Sequence, residues 1–371
     1  MTVFHNKILE SLSKSELEKI LDELARGYNW TIKDNIVIEI LSENNDLLER
    51  YRYIVNNTNL LIEIDIIINT KIKNFPFYFA LYLYPEVKTI NYVINYQKTS
   101  IDILKKFHND IKRSHLQEVI KKLKLSGTSV NNIFILDLCC GKGNDVAKWH
   151  SLGINNGIGI DISQANIEEA RYRFLEKNYI QSFKVNFFTA DVGINSRDLY
   201  TFLDYSIAAN HGRKFDIITC NFAVHYLYKH SDHLHNFMRL IKTYLKSGGY
   251  FIGTTLNKEL ILKLLHNKTE FISPLLEIRP ESPNFFNNNI IYNRKYSIRI
   301  GIPGENTYFN KEDSIEYLVD FNELRTVANK HGLSMINFSN FKMLYKDSYN
   351  MSDGEKSASF LNSKFTFFKQ F

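Results

Sequence analysis

The stretch Ile135-Leu-Asp-Leu-Cys-Cys-Gly-Lys-Gly-Asn-Asp-Val-Ala-Lys-Trp149 decides the fold of this chain. An apolar run ends in an acidic residue, passes through a tight glycine-containing turn, and enters a helix. That pattern predicts the first strand-turn-helix of a doubly wound nucleotide-binding sheet, with a ligand lying across the turn and the helix N-terminus. Many cofactor sites and some purely structural turns share it, so its meaning rests on the segments found downstream at the expected distances.

Downstream the alternation is regular. Residues 157–162 read as a strand carrying Asp161, 24 residues beyond Asp137, and residues 163–177 as a helix. Strands follow at 183–190, before Asp191, and at 215–220, running into Asn221-Phe-Ala-Val-His-Tyr226. A helix at 231–245 leads through Ser247-Gly-Gly249 into a strand at 250–255. Strands separated by helices at this spacing predict a doubly wound, mostly parallel α/β sheet of the Rossmann-like kind. A carboxylate at the end of the second strand can accept both hydroxyls of an adenosyl ribose. One at the end of the third can accept from an adenine amino group. A nicotinamide enzyme shares the first acid but carries the full Gly-x-Gly-x-x-Gly spacing; Cys139-Cys-Gly-Lys-Gly-Asn144 lacks its third glycine. S-adenosylmethionine, which has no phosphates and ends in an amino acid, fits this turn better.

Working outward, residues 101–125 read as a long amphipathic helix or a pair of helices, with six lysines. Residues 1–100 read as a separate small α+β module whose expected role is a docking surface for a partner. Past Thr255 the alternation breaks, and residues 257–295 read as an irregular insertion with Pro274, Pro280 and Pro283. A strand at 295–301, a turn at Pro303-Gly304, a helix at 322–331 and strands at 334–338 and 364–371 follow. The last two are expected to close the sheet with an antiparallel edge strand.

Bulk composition narrows the class. Of 371 residues 44% are hydrophobic and 23% charged, which suits a packed core rather than global disorder. No apolar run reaches the roughly 18 residues a bilayer span needs, and no signal-peptide pattern is present, so a soluble protein is expected without a membrane partner. The three cysteines, Cys139, Cys140 and Cys220, form no Cys-x-x-Cys pair. Neither a metal site nor a disulfide framework is expected, and an intracellular, cytoplasmic location fits. The net charge of +6 divides unevenly: residues 1–100 carry 11 basic and 13 acidic side chains, the remainder 35 and 27. The positive excess lies with the nucleotide-binding part, as suits a phosphate-bearing partner.

Together these segments resemble the eukaryotic and viral mRNA cap guanine-N7 methyltransferase family. The resemblance covers roughly residues 101–371. It rests on Phe107-His-Asn-Asp-Ile-Lys112, the opening stretch, Asp161-Ile-Ser163, Arg171-Tyr-Arg-Phe174, Thr189-Ala-Asp191, Phe215–Tyr226, Ser247-Gly-Gly-Tyr-Phe-Ile-Gly-Thr-Thr255 and Glu316-Tyr-Leu-Val319. The composition and the extra module suit the viral type. The resemblance implies S-adenosylmethionine as cofactor, held by Lys112, Asp137, Cys139, Gly141, Asp161, Asp191, Asn221 and Tyr226. It implies a cap pocket made by His108, Asn109, Lys142, Lys148, Arg173, Phe222, His225 and Glu316. Glu316 is the telling member, because one carboxylate can accept from N1–H and the N2 amino group of guanine together. No catalytic acid or base is expected, since guanine N7 offers a lone pair and carries no proton. The implied partners are capped RNA and a triphosphatase–guanylyltransferase subunit docked through residues 1–100.

Four positions depart from the family pattern. Cys139 replaces the usual first glycine of the turn, His108 an asparagine, Asp110 a tryptophan and Asn221 a glutamine. The tyrosine that the family supplies to the cap pocket near its C-terminus has no evident counterpart. Two other readings share the fold or the family: a methyltransferase for a small molecule, and a non-catalytic subunit that stimulates a capping partner. Lys112, Lys142 and Glu316 argue against the first. Retention of Asp161, Asp191, His225, Tyr226 and Glu316 argues against the second.

Overall fold

The computed structural model describes residues 101–177, 179, 182–302, 308 and 313–370. The expected N-terminal module and the turn at Pro303-Gly304 lie outside the described residues. Those described from 101 onward belong to one compact unit, Ser100–Phe371.

Its centre is a seven-stranded sheet. Strands β1 (Phe134–Leu138), β2 (Asn156–Asp161), β3 (Lys184–Thr189), β4 (Phe215–Asn221) and β5 (Leu245–Leu256) are mutually parallel where they pair. Their order runs 3-2-1-4-5, so the winding reverses between β1 and β4, and ligands of doubly wound sheets bind at that reversal. The expected antiparallel strand is at the far end. β11 (Asn362–Lys369) pairs antiparallel with β5 and with β10 (Leu333–Asn340), which is outermost. Every residue of β1 is buried, because helices cover both faces of the sheet; its one polar member, Asp137, is buried with the rest and accepts from the hydroxyl of Thr219 at 2.5 Å.

One face packs against α1 (Asp102–Leu125), α2 (Val146–Ser151) and α3 (Gln164–Glu176) through Leu116, Val119, Trp149 and Ile167. The other packs against α4 (Arg197–Ala209), α5 (Ser231–Tyr244) and α7 (Phe321–Lys330). Helix α1 is continuous, not a pair. Its apolar residues recur every three or four positions, and the two halves of that stripe serve different cores. Leu116, Val119 and Leu123 reach the main sheet, whereas Leu104, Phe107 and Ile111 join a second cluster with Ile261, Ile278 and Tyr296.

That second cluster corrects the reading of residues 257–295 as irregular. They hold helix α6 (Lys258–Leu265) and strands β6 (Phe271–Ile272) and β7 (Leu276–Pro280). With β8 (Lys295–Ile300) and β9 (Ser314–Tyr317) these strands form a four-stranded antiparallel sheet in the order 6-7-8-9. Strands of two and five residues among three prolines give too short an alternation to read. The sheet presents Glu316 from β9, directly opposite Tyr296 of β8. A last short helix, α8 (Asp353–Ser359), was also hidden; its Glu355 accepts from the N–H of Leu104 at 3.1 Å and ties it to the start of α1.

Candidate functional site

The turn after β1 is fastened to β2. The N–H of Cys140 donates to the carbonyl of Ile160 at 2.9 Å, and that of Gly141 donates to Oδ2 of Asp161 at 2.8 Å. Asp161 Oδ1 accepts from the N–H of Ser163 and from Nδ2 of Asn166, at 2.9 and 3.2 Å. A carboxylate has about four acceptor positions, so one on Oδ2 stays open for a hydroxyl. Cys139 sits at φ 60°, the left-handed region that explains why glycine suits this position. A Cβ added to Gly141 would meet nothing within 4 Å, so the space over the turn is open. Asp191 is half-buried beyond β3, with Oδ1 accepting from the N–H of Gly193 at 2.8 Å.

Beside the turn lies a charge cluster built on a residue the sequence reading did not select. Nζ of Lys112 and Nζ of Lys148 both reach Oδ1 of Asp145 at 2.7 Å, and Nδ2 of Asn221 donates to Oδ2 at 3.3 Å. Oδ1 of Asn221 accepts from the hydroxyl of Thr254 at 3.2 Å, which fixes its amide. Burial alone would raise the pKa of Asp145, but the two lysines outweigh it and hold the carboxyl below the usual carboxylate range. Burial and then the charge of Asp145 push Asp137 upward, so this carboxyl gains a proton more readily than an ordinary aspartate. Two lysines against the Asp145 carboxylate leave one positive charge, a setting for a carboxylate or phosphate. Lys148 is therefore no loose surface charge; it is buried. Arg173 is engaged by Glu169 at 2.6 Å and by Asn144 of the turn at 2.8 Å. Asn109 is exposed on α1, and Lys142 makes no ion pair among the described residues.

The chain leaving β4 turns at Phe222, φ 55°, and delivers a second group of side chains. Nδ1 of His225 lies 3.6 Å from Oε2 of Glu316, and Tyr296 donates its hydroxyl to that oxygen at 3.2 Å. Burial lowers His225 to about 3 and raises Glu316 to about 8, so both are neutral at pH 7. Among the described residues neither ring nitrogen of His225 has a hydrogen-bond partner although the side chain is buried, a costly arrangement that a ligand relieves. Tyr226, 48% exposed, sets its ring edge against His225 with centroids 4.1 Å apart. It lies within electrostatic range of Glu316, Cys139 and Asp161, between the two groups rather than wholly on the cofactor side.

His108 is the residue whose expected role changes. It is buried, and its Nε2 and Nδ1 are taken by the hydroxyls of Ser359 at 2.8 Å and Tyr308 at 3.1 Å. No ring nitrogen remains for a ligand. Its ring stacks behind Phe222 at 5.1 Å. Of the expected residues the structure thus joins Lys112, Lys148 and Asn221 on Asp145, and His225 and Tyr226 beside Glu316; among the described residues Asn109, Lys142 and Asp191 are tied to neither group.

A family model described as mRNA (guanine-N(7))-methyltransferase domain matches residues 82–365. The mRNA cap guanine-N(7) methyltransferase of Schizosaccharomyces pombe is 30% identical over 242 residues, covering 63% of this chain and 60% of that protein. The Drosophila melanogaster protein of the same description is 27% identical over 265 residues, covering 68% and 57%. The chain thus spans less than two thirds of the length of these relatives. A solved S-adenosylmethionine-dependent methyltransferase from Clostridium acetobutylicum is similar with a TM-score of 0.43 and 18% identity, covering 79% of this chain and 99% of that one.

Proposed function

Because the chain belongs to the mRNA (guanine-N(7))-methyltransferase domain family, we propose that it transfers a methyl group from S-adenosylmethionine to N7 of the guanine cap of mRNA. The observation that carries the reading is the buried pair His225 and Glu316, whose imidazole nitrogens are unpartnered among the described residues; His225 stands four residues along the chain from Asn221 of the Asp145 cluster. A guanine base satisfies such a pair: Glu316 accepts N1–H and the N2 amino group, and His225 meets the remaining polar edge.

The residues around the turn fit the cofactor. Space opens above Gly141, Asp161 keeps an acceptor for a ribose hydroxyl, and the cluster of Lys112, Lys148 and Asp145 carries one net positive charge near a methionine carboxylate or a cap phosphate. Asp191 stands ready to accept from the adenine amino group. S-adenosylmethionine, when bound, supplies a methyl group made electrophilic by its sulfonium. Guanine N7 has no proton to lose, so the side chains work by placement alone, and orientation of this kind contributes up to about 7–11 kcal/mol. The buried setting strengthens each electrostatic contact.

Capped RNA is the proposed partner, and the basic excess of residues 101–371 supports RNA binding. Docking of a triphosphatase–guanylyltransferase subunit through residues 1–100, a viral origin and a cytoplasmic location are part of the same proposal. The Asn- and Ile-rich composition supports the origin, and three free thiols support the location. Incubation with methyl-labelled S-adenosylmethionine and GpppG, GTP or uncapped RNA tests the activity. Label at N7 of GpppG is expected; no transfer from a protein that binds the cofactor overturns the reading.

A further inference from the structure

Phe222 holds a backbone conformation that a bulky aromatic residue rarely adopts, φ 55°. Such a residue persists only where its surroundings over-determine it. Its N–H donates to the carbonyl of Thr254 at 2.7 Å, which fixes the backbone but not the ring. The ring is fixed by others. His108 stacks on it face to face, with centroids 5.1 Å apart and planes 18° from parallel, while Tyr308 and Phe341 approach edge-on at 6.2 and 6.1 Å. A base that stacks on Phe222 must therefore use the face opposite His108.

An apolar filler could cover the same face but would be free to slide. The imidazole of His108 cannot, because Ser359 of α8 and Tyr308 of the segment between β8 and β9 each hold one ring nitrogen. Phe341 closes its edge at 5.1 Å. Burial keeps the ring neutral, and the ammonium of Lys112, itself 6.0 Å from the centroid of Phe222, works in the same direction. One nitrogen then donates and the other accepts, so both contacts are satisfied whichever tautomer is present. Three separate pieces of the chain thus converge on one ring whose two nitrogens are both committed within the protein.

We propose that His108, anchored by Ser359 and Tyr308, is a positioning residue that sets the plane of the Phe222 ring and thereby the affinity for the guanine base. The inference rests on the cap-methylating reading for its substrate, but not for its geometry. The residue acts through Phe222 and touches neither base nor cofactor. Its loss weakens base binding and leaves cofactor binding and the bound reaction intact.

The test compares wild type with His108→Ala, His108→Phe and Tyr308→Phe. Steady-state methyl transfer to GpppG, calorimetric S-adenosylmethionine binding and crystal structures supply the readouts. For His108→Ala the KM for GpppG is expected to rise about tenfold, with kcat within about threefold and cofactor affinity unchanged. His108→Phe restores a stacked ring without its anchors and should fall between the two. Tyr308→Phe, which removes one hydroxyl and spares the fold, should raise KM about threefold. In the His108→Ala crystal the Phe222 ring is expected to leave its present plane. An unchanged KM, an equal loss of cofactor affinity, or a Phe222 ring that stays in place overturns the proposal. If wild type transfers no methyl to GpppG yet the ring moves in the variant, the cap reading fails and the positioning role stands.

Discussion

Nδ1 of His225 faces Oε2 of Glu316 across 3.6 Å, with both side chains almost wholly out of water. Burial has driven their proton affinities in opposite directions, so the pair meets at neutral pH as an imidazole and a carboxylic acid rather than as an ion pair. The form that accepts two hydrogen bonds from guanine is the carboxylate. Binding at pH 7 must therefore release a proton from Glu316.

The first prediction concerns that proton. Affinity for GpppG should rise with pH towards about 8 and then level off, while His225, lowered to about 3, contributes nothing to the profile. Calorimetry at pH 7 in buffers of different ionisation enthalpy should show close to one proton released per cap bound. Glu316→Gln should lose the release together with about a hundredfold of affinity, because its amide nitrogen opposes the guanine N2 amino group. Cofactor affinity should survive. Uptake of a proton, or none exchanged by wild type, would sink the assignment of Glu316.

The same group makes a prediction about the free protein. An acid whose folded proton affinity is raised holds its proton more tightly folded than unfolded. Stability from Glu316 therefore falls as pH climbs from about 4.5 to about 8 and is lowest above that window. Glu316→Gln removes the buried charge. At pH 9 its Tm should exceed that of wild type by roughly 3 °C or more, and at pH 4 the two should be close. Thermal melts at both values check the sign; equal differences at pH 4 and pH 9 would contradict it.

Asp145 yields a third test. It neutralises one of two lysines, Lys148 buried and Lys112 partly so, and orients both; truncating one partner of a buried ion pair typically costs about 3–5 kcal/mol. Asp145→Ala should destabilise by that order in urea unfolding. Adding Lys148→Met should recover part of the loss, because the second change removes a charge that the first left unpaired. Strictly additive losses would show that the three groups are not one unit.

These residues also mark how far the sequence can be read. The parallel core is legible because β1, β4 and β5 each carry a short apolar run, at residues 134–136, 217–218 and 250–252, set between helical patterns at regular spacing. Asp161, Asp191 and Glu316 are legible because each is an acid at the end of a strand or in a distinctive segment. Asp145 is not. An aspartate after Gly143-Asn144 at the start of a helix reads as an N-cap, yet its side chain makes no capping bond and turns to Lys112 and Lys148 instead. That choice depends on a lysine 33 residues earlier, which no local pattern contains. His108 reads as a ligand contact for the same reason: its partners, Tyr308 and Ser359, lie 200 and 251 residues away.

Cys139 shows the opposite case, an oddity in the sequence with a direct structural meaning. The turn needs a left-handed residue, φ 60°, and a side chain there costs about 1–2 kcal/mol that glycine avoids. Glycine also loosens the unfolded chain by about 0.4–1 kcal/mol, and the thiol packs beside Cys220 and the main core, so the gain is partly offset. Cys139→Gly should therefore change stability by no more than about 1 kcal/mol, on the favourable side, and leave cofactor affinity equal or better. Cys139→Val, whose branched Cβ fits this region worst, should lose at least about 2 kcal/mol and weaken S-adenosylmethionine binding with it. Unfolding curves and cofactor titrations of the two variants separate backbone strain from thiol chemistry. If valine is tolerated as well as glycine, the left-handed turn is not what position 139 supplies to the site.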